Sequence, residues 1–189
     1  VISLKFSVRQ LVEISVLIAL AFVLDFVAKI YSGWFWAYGG SISLSLVPLA
    51  VLAYRQGWKM GTLSGLLLGT IQLIMGSTLI HPIQVLFDYL LPYAAFCGLT
   101  GIWASQLNAE SVVKNVGYNI WISTMVGSIG RAVLHILSGY IFFGSYAPEG
   151  MHPLIYSVGY NMPYLLLSWI VSAWVLTTLY RRYQTIVMD

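Results

Sequence analysis

Asp88 stands in a run that is otherwise apolar, His81-Pro82-Ile83-Gln84-Val85-Leu86-Phe87-Asp88-Tyr89-Leu90-Leu91-Pro92. An ionisable group at the centre of a membrane helix costs about 2.5–3.5 kcal/mol on insertion scales, so it normally has a partner or a task. Gln84 and Tyr89 beside it are types that hold a small polar or cationic ligand. Asp88 therefore reads as the anionic anchor of a binding site within a membrane. Three more polar residues stand in apolar runs. Arg131 and His135 are four apart, hence on one helix face; Asn161 lies further on. Tyr and Trp faces attract cations by about 0.5–2 kcal/mol. An amide such as Asn161 can read an aminopyrimidine edge bidentately, as amide side chains read adenine. Together these groups suit a small, flat, aromatic, positively charged molecule. Each also has a plainer reading: Asp88 paired with Arg131, His135 in a helix–helix hydrogen bond, Asn161 capping a helix.

Enzyme chemistry is poorly served. Ser64 follows Gly61 by three residues, where an intramembrane serine protease wants a glycine two before the serine. The three histidines fall on separate segments without H-E-x-x-H, and there is no P-loop, so neither a metal site nor nucleotide hydrolysis is expected. No cofactor and no nucleic-acid partner are indicated.

These residues need helices to carry them. The 189-residue chain is 59% hydrophobic and 8% charged, against about 25% charged in soluble domains. It therefore reads as an all-α integral membrane protein in a lipid bilayer. Six spans of about 20 residues are expected, over 11–30, 42–54, 60–75, 83–105, 116–143 and 156–180, as one membrane domain covering 1–189. The first apolar run lacks a clear cleavage site and is expected to stay as a span. Within it Asp25 and Lys29 are spaced to pair, read as an interfacial salt bridge. Ser15 and Ala19 form a small-xxx-small pattern that admits another helix closely. Gly61, Gly65 and Gly69 leave one face of the third span nearly bare for tight packing. Pro82 suits the first turn of the fourth span, and Pro92 should kink it below Asp88. Between spans one and two, Trp36 and Tyr38 read as interface anchors, and Trp34 as an aromatic cover over the site. Cys97 has no partner for a disulfide.

Charge placement gives the topology. With the N-terminus inside, Lys5, Arg9, Arg55, Lys59, Lys114, Arg181 and Arg182 face the cytoplasm and only Lys29 faces out. Both termini are then cytoplasmic. Asp88 falls roughly 9 Å and His135 roughly 12 Å below the outer helix ends at 1.5 Å per residue. The site should open towards the extracellular face.

The strings Gly39-Gly40-Ser41-Ile42-Ser43-Leu44 with Pro48, His81-Pro82-Ile83-Gln84 with Phe87-Asp88-Tyr89, Arg131-x-x-x-His135, Ser138-Gly139 with Phe142-Phe143, Tyr146-Ala147-Pro148-Glu149-Gly150 and Tyr156-x-x-x-Tyr160-Asn161 run through nearly the whole chain. In order and together they resemble the thiamine-specific substrate-binding subunit of energy-coupling factor transporters. The resemblance implies a six-helix bundle in a prokaryotic plasma membrane that binds thiamine near its outer face. It also implies docking, through Ser15 and Ala19, on a transmembrane coupling subunit joined to two ATPase subunits. It gives Trp34, Gln84, Asp88, Tyr89, Arg131, His135, Gly139, Phe143, Tyr156 and Asn161 as the substrate-binding set. Asp88 takes an acidic position that is glutamate in some members, and Phe143 one that is tryptophan in some. The alternative is a stand-alone proton-coupled carrier with Asp88 and His135 as relay. It would favour inverted repeats, and none is evident between the two halves.

Overall fold

The structure, a computed structural model, describes residues 7–36, 39–74, 79–106 and 115–182. Lys5, Tyr38, Met75, Gly76 and the polar connection with Glu110 and Lys114 lie outside the described residues. The described residues build α1 (Val8–Ser32), α2 (Leu46–Ile74), α3 (Pro82–Ser105), α4 (Val116–Phe142) and α5 (Pro153–Arg182), with no strand among them. All but α2 are long and apolar enough to cross a membrane. α2 is broken at Gly57, whose φ of 77° only glycine adopts easily. A Cβ at Gly61 would lie 3.3 Å from Ala53 Cα, so the chain doubles back there. The sequence places the expected inner loop, Arg55 to Lys59, at this break.

Apolar burial follows the helix period. In α1 only Ile14, Ile18, Ala21, Asp25, Ala28 and Ser32 are buried, a single narrow stripe. Its other face is open: Leu11, Val12, Val16, Leu20, Val23 and Val27 are all exposed. Ser7 and Gln10 close a capping box at its start, where the Ser7 hydroxyl accepts from the Gln10 N–H at 3.2 Å. Towards this end Arg55 pairs with Glu13, tying α2 to α1. The core proper is built by Leu49, Leu52, Leu68, Phe96 and Leu176, all fully buried.

The glycine face of α2 has its expected use. A Cβ added at Gly65 would sit 2.4 Å from the Tyr93 carbonyl oxygen, and one at Gly69 2.4 Å from that of Tyr89. These glycines therefore seat the two tyrosines of α3 directly on the α2 backbone. Gly69→Ala is expected to cost about 1–3 kcal/mol through overpacking. Gly159→Ala, where a Cβ meets nothing within 4 Å, should not. Thermal melts of the two variants in detergent check this; equal melting temperatures would mean that α2 and α3 do not need their close approach.

α3 starts as the sequence suggests. His81 Nδ1 accepts from the Ile83 N–H at 3.1 Å as an N-cap, and Pro82 follows. The expected kink at Pro92 takes a different form. Proline has no N–H to return to the Asp88 carbonyl, and the helix absorbs this as one π turn over Leu86–Leu90, with the Leu91 N–H bonded to the Leu86 carbonyl. Such turns are wider than the α-helix and often mark functional positions. Asp88 and Tyr89 sit on it.

Candidate ligand-binding site

A cavity of about 300 Å³ lies where all five helices converge. That is at the small end of ligand pockets, which run from about 300 to 1,000 Å³. α3 contributes Asp88, Tyr89 and Tyr93; α4 contributes Arg131, His135 and Gly139, with Phe143 at its C-cap. From α5 come Tyr156, Ser157, Tyr160, Asn161 and Tyr164. The α1–α2 connection covers it with Trp36, Gly39, Gly40 and Ser41.

Asp88 is held from behind. Gln84, one turn earlier and fully buried, donates its Nε2 to Asp88 Oδ2 at 2.6 Å and accepts from the Ile80 N–H at 3.1 Å. The other carboxylate oxygen, Oδ1, faces His135 Nδ1 at 3.7 Å, beyond direct hydrogen-bond range. Arg131 Nε donates to His135 Nε2 at 3.4 Å. His135 must then accept at Nε2, so its proton is assigned to Nδ1, pointing at Asp88. The imidazole thus spaces Arg131 from Asp88. The direct Asp88–Arg131 pair considered from the sequence is absent among the described residues, and Asp88 keeps an oxygen towards the cavity.

Asn161 does not cap its helix. His152 does, with Nδ1 accepting from the Leu154 N–H at 3.2 Å. Asn161 lies deeper in α5, where Nδ2 donates to the Ser157 carbonyl at 2.9 Å and Oδ1 accepts from the Tyr164 hydroxyl at 2.5 Å. Its amide is fixed at both ends in the cavity wall. Gly139 makes room for this: a Cβ there would lie 2.3 Å from Ser157 Oγ.

Of the residues predicted to bind substrate, all but Trp34 and Gln84 line the cavity. Gln84 acts one step back, through Asp88. Trp34, expected over the site, is 90% exposed and is not among the residues that line the cavity. Trp36 sits there instead, edge-on to Tyr164 at 5.8 Å between centroids, where an interface anchor was expected. The connection is fastened by Tyr160, whose hydroxyl donates to the Gly39 carbonyl at 2.8 Å.

One group of lining residues went unseen in the sequence. Asp25 and Lys29 do pair, at 3.3 Å, but Asp25 is buried at the cavity wall rather than at an interface. Gln72 of α2 and Tyr93 of α3 complete the group. The available signal was a lone glutamine, Gln72, in the glycine-rich span.

Apolar helices of membrane length around a polar, aromatic-walled cavity define a multi-pass membrane protein that binds a solute. The chain belongs to the thiamine transporter protein family (Thia_YuaJ), whose profile matches residues 11–188. It is therefore a transporter rather than an enzyme. It is 37% identical over 175 residues to the thiamine transporter ThiT of Bacillus subtilis (strain 168), covering 90% of each chain. It is 27% identical over 139 residues to the thiamine transporter ThiT of Lacticaseibacillus paracasei, covering 69% of this chain and 68% of that one. The fold matches that of ThiT from Listeria monocytogenes with a TM-score of 0.81 at 24% identity, over 96% of this chain and 98% of that one.

Proposed function

We propose that this chain captures thiamine from the outer side of a prokaryotic plasma membrane, as the substrate-binding subunit of an energy-coupling factor transporter. The observation that carries this reading is Asp88, held on a π turn by Gln84 with one carboxylate oxygen towards an aromatic-walled cavity. Thiamine is a small cation with a flat aminopyrimidine. Asp88 offers it a countercharge, Tyr89, Phe143 and Tyr156 offer ring faces, and Asn161 and His135 offer directed polar edges. The names of the relatives support the same ligand.

The bundle is read as six spans, with α2 supplying two of them on either side of Gly57. Arg9, Arg55, Lys59, Arg181 and Arg182 then mark the cytoplasmic side, both termini included. Lys29 is the exception, and its pairing with buried Asp25 offsets its charge. Power comes from two ATPase subunits through a transmembrane coupling subunit that meets α1 at Ser15 and Ala19.

The first test is tryptophan fluorescence of the detergent-purified chain titrated with thiamine, with riboflavin and biotin as controls. Saturable quenching by thiamine alone is expected. Trp36→Phe should remove most of it, whereas Trp34→Phe should leave it. A response to riboflavin or biotin in place of thiamine would overturn the substrate, and silence to all three would overturn capture.

A further inference from the structure

Asp25 is a carboxylate on α1 with 1% of its surface exposed, and its partners come from three helices. Lys29 of α1 reaches Oδ2 at 3.3 Å, Gln72 of α2 donates Nε2 to Oδ2 at 2.9 Å, and the Tyr93 hydroxyl of α3 donates to Oδ1 at 3.3 Å. The cluster is cross-linked: Gln72 Nε2 also donates to the Tyr93 hydroxyl at 2.9 Å, and Lys29 Nζ donates to Gln72 Oε1 at 3.3 Å. The tyrosine is thus fixed at its hydroxyl end by two helices other than its own.

The ring of Tyr93 has a second neighbour. Arg131 Cζ lies 4.8 Å from its centroid, a cation–π contact. Arg131 is 4% exposed and lines the cavity, yet its Nη1 is buried without a hydrogen-bond partner in the protein. Among the described residues no carboxylate is within ion-pair distance of it. A buried charged nitrogen with no match is unfavourable, and a guanidinium in that position needs something to hold its plane. His135 takes Nε and Tyr93 takes the face. Asp25 makes no ion pair with Arg131, so its link to the guanidinium runs through the Tyr93 ring.

We propose that Tyr93, fixed by Asp25 and Gln72, is the positioning residue for Arg131, and that through it α1 is tied to the ligand-facing guanidinium. The inference rests on the reading of the cavity as a thiamine site. It adds that α1, whose far face is open, touches the ligand's surroundings through one polar clasp.

A double-mutant cycle on the detergent-purified chain tests it, reading thiamine Kd and the melting temperature of the ligand-free protein. Tyr93→Leu is expected to weaken binding by roughly tenfold, within the range of a lost cation–π contact. Tyr93→Phe keeps the face and should weaken binding by only about threefold, and Asp25→Asn similarly, because each loosens the ring without removing it. In an Arg131→Met background all three should change Kd by less than about twofold, since interacting residues are non-additive. A merely structural cluster would instead lower melting temperature and Kd-derived affinity alike in both backgrounds. Losses that multiply in the Arg131→Met background would overturn the positioning role. So would an unchanged Kd in Tyr93→Leu or, where that variant does not fold, in both Tyr93→Phe and Asp25→Asn. Absence of thiamine binding by the unmodified chain would instead overturn the capture function, and this inference with it; the two failures are told apart by the unmodified titration.

Discussion

Asp88→Asn is expected to weaken thiamine binding by roughly 30–150-fold while leaving the protein folded. The magnitude is that of a hydrogen bond or contact made to a charged group, about 2–3 kcal/mol, with tenfold in Kd for each 1.4 kcal/mol. Folding should be spared because the change keeps the shape and keeps an acceptor. Gln84 Nε2, which now donates to Oδ2 at 2.6 Å, can donate to the asparagine oxygen instead. What disappears is the negative charge at the oxygen that faces His135 Nδ1 at 3.7 Å. Asp88→Glu keeps the charge but moves it one methylene along, and should fall within about tenfold of the unmodified protein. Calorimetric or fluorescence titration of the three proteins, with melts as a folding control, decides the matter. If the asparagine variant bound thiamine within threefold of the unmodified chain, Asp88 would not be the anionic anchor.

The place of Asp88 at the cavity was legible in the sequence because it broke a strong pattern. A lone acid in an apolar run can be found by composition, and Arg131 with His135 can be found by their spacing. The glycine face of α2 was legible for the same reason, since a four-residue repeat of missing side chains implies a neighbour. Spacing along one helix says nothing, however, about what other helices deliver to a residue. Asp25 and Lys29 looked complete as a pair, and the burial of Asp25 became clear only when α2 and α3 brought Gln72 and Tyr93 against it. The presence of Trp36 rather than Trp34 at the cavity has a similar cause. The two differ by two residues in a glycine-flanked connection without a repeat, so no period tells which ring turns inward. The π turn was hidden too: Pro92 announces that a hydrogen bond is lost, but the way the helix accommodates the loss depends on its packing against Gly65 and Gly69.

Ala19→Trp is expected to abolish thiamine uptake in cells, by tenfold or more, while leaving the Kd of the isolated chain unchanged. α1 contributes little to the core beyond its narrow stripe, and Ser15 and Ala19 both lie on its exposed side. The Ser15 hydroxyl is turned back to the Leu11 carbonyl at 2.8 Å, so the surface it offers is small and nearly apolar. Exposed Val12, Val16, Leu20 and Val23 flank the two small residues. In a bilayer, where lipid is as apolar as a valine, such a face gains by close backbone approach to another helix, and an indole at its centre prevents that approach. Ala19 lies six residues before Asp25, roughly 9 Å along the helix, so the substitution should not reach the cavity. The measurement pairs radiolabelled uptake in cells carrying the coupling and ATPase subunits with titration of the purified variant. Uptake that survived Ala19→Trp would place the docking face elsewhere. Uptake by the unmodified chain in a host without those ATPases would remove the need for docking and return Asp88 and His135 to the role of a proton relay. Loss of uptake together with loss of binding would mean that α1 is held to the cavity more rigidly than one polar clasp at Asp25 allows.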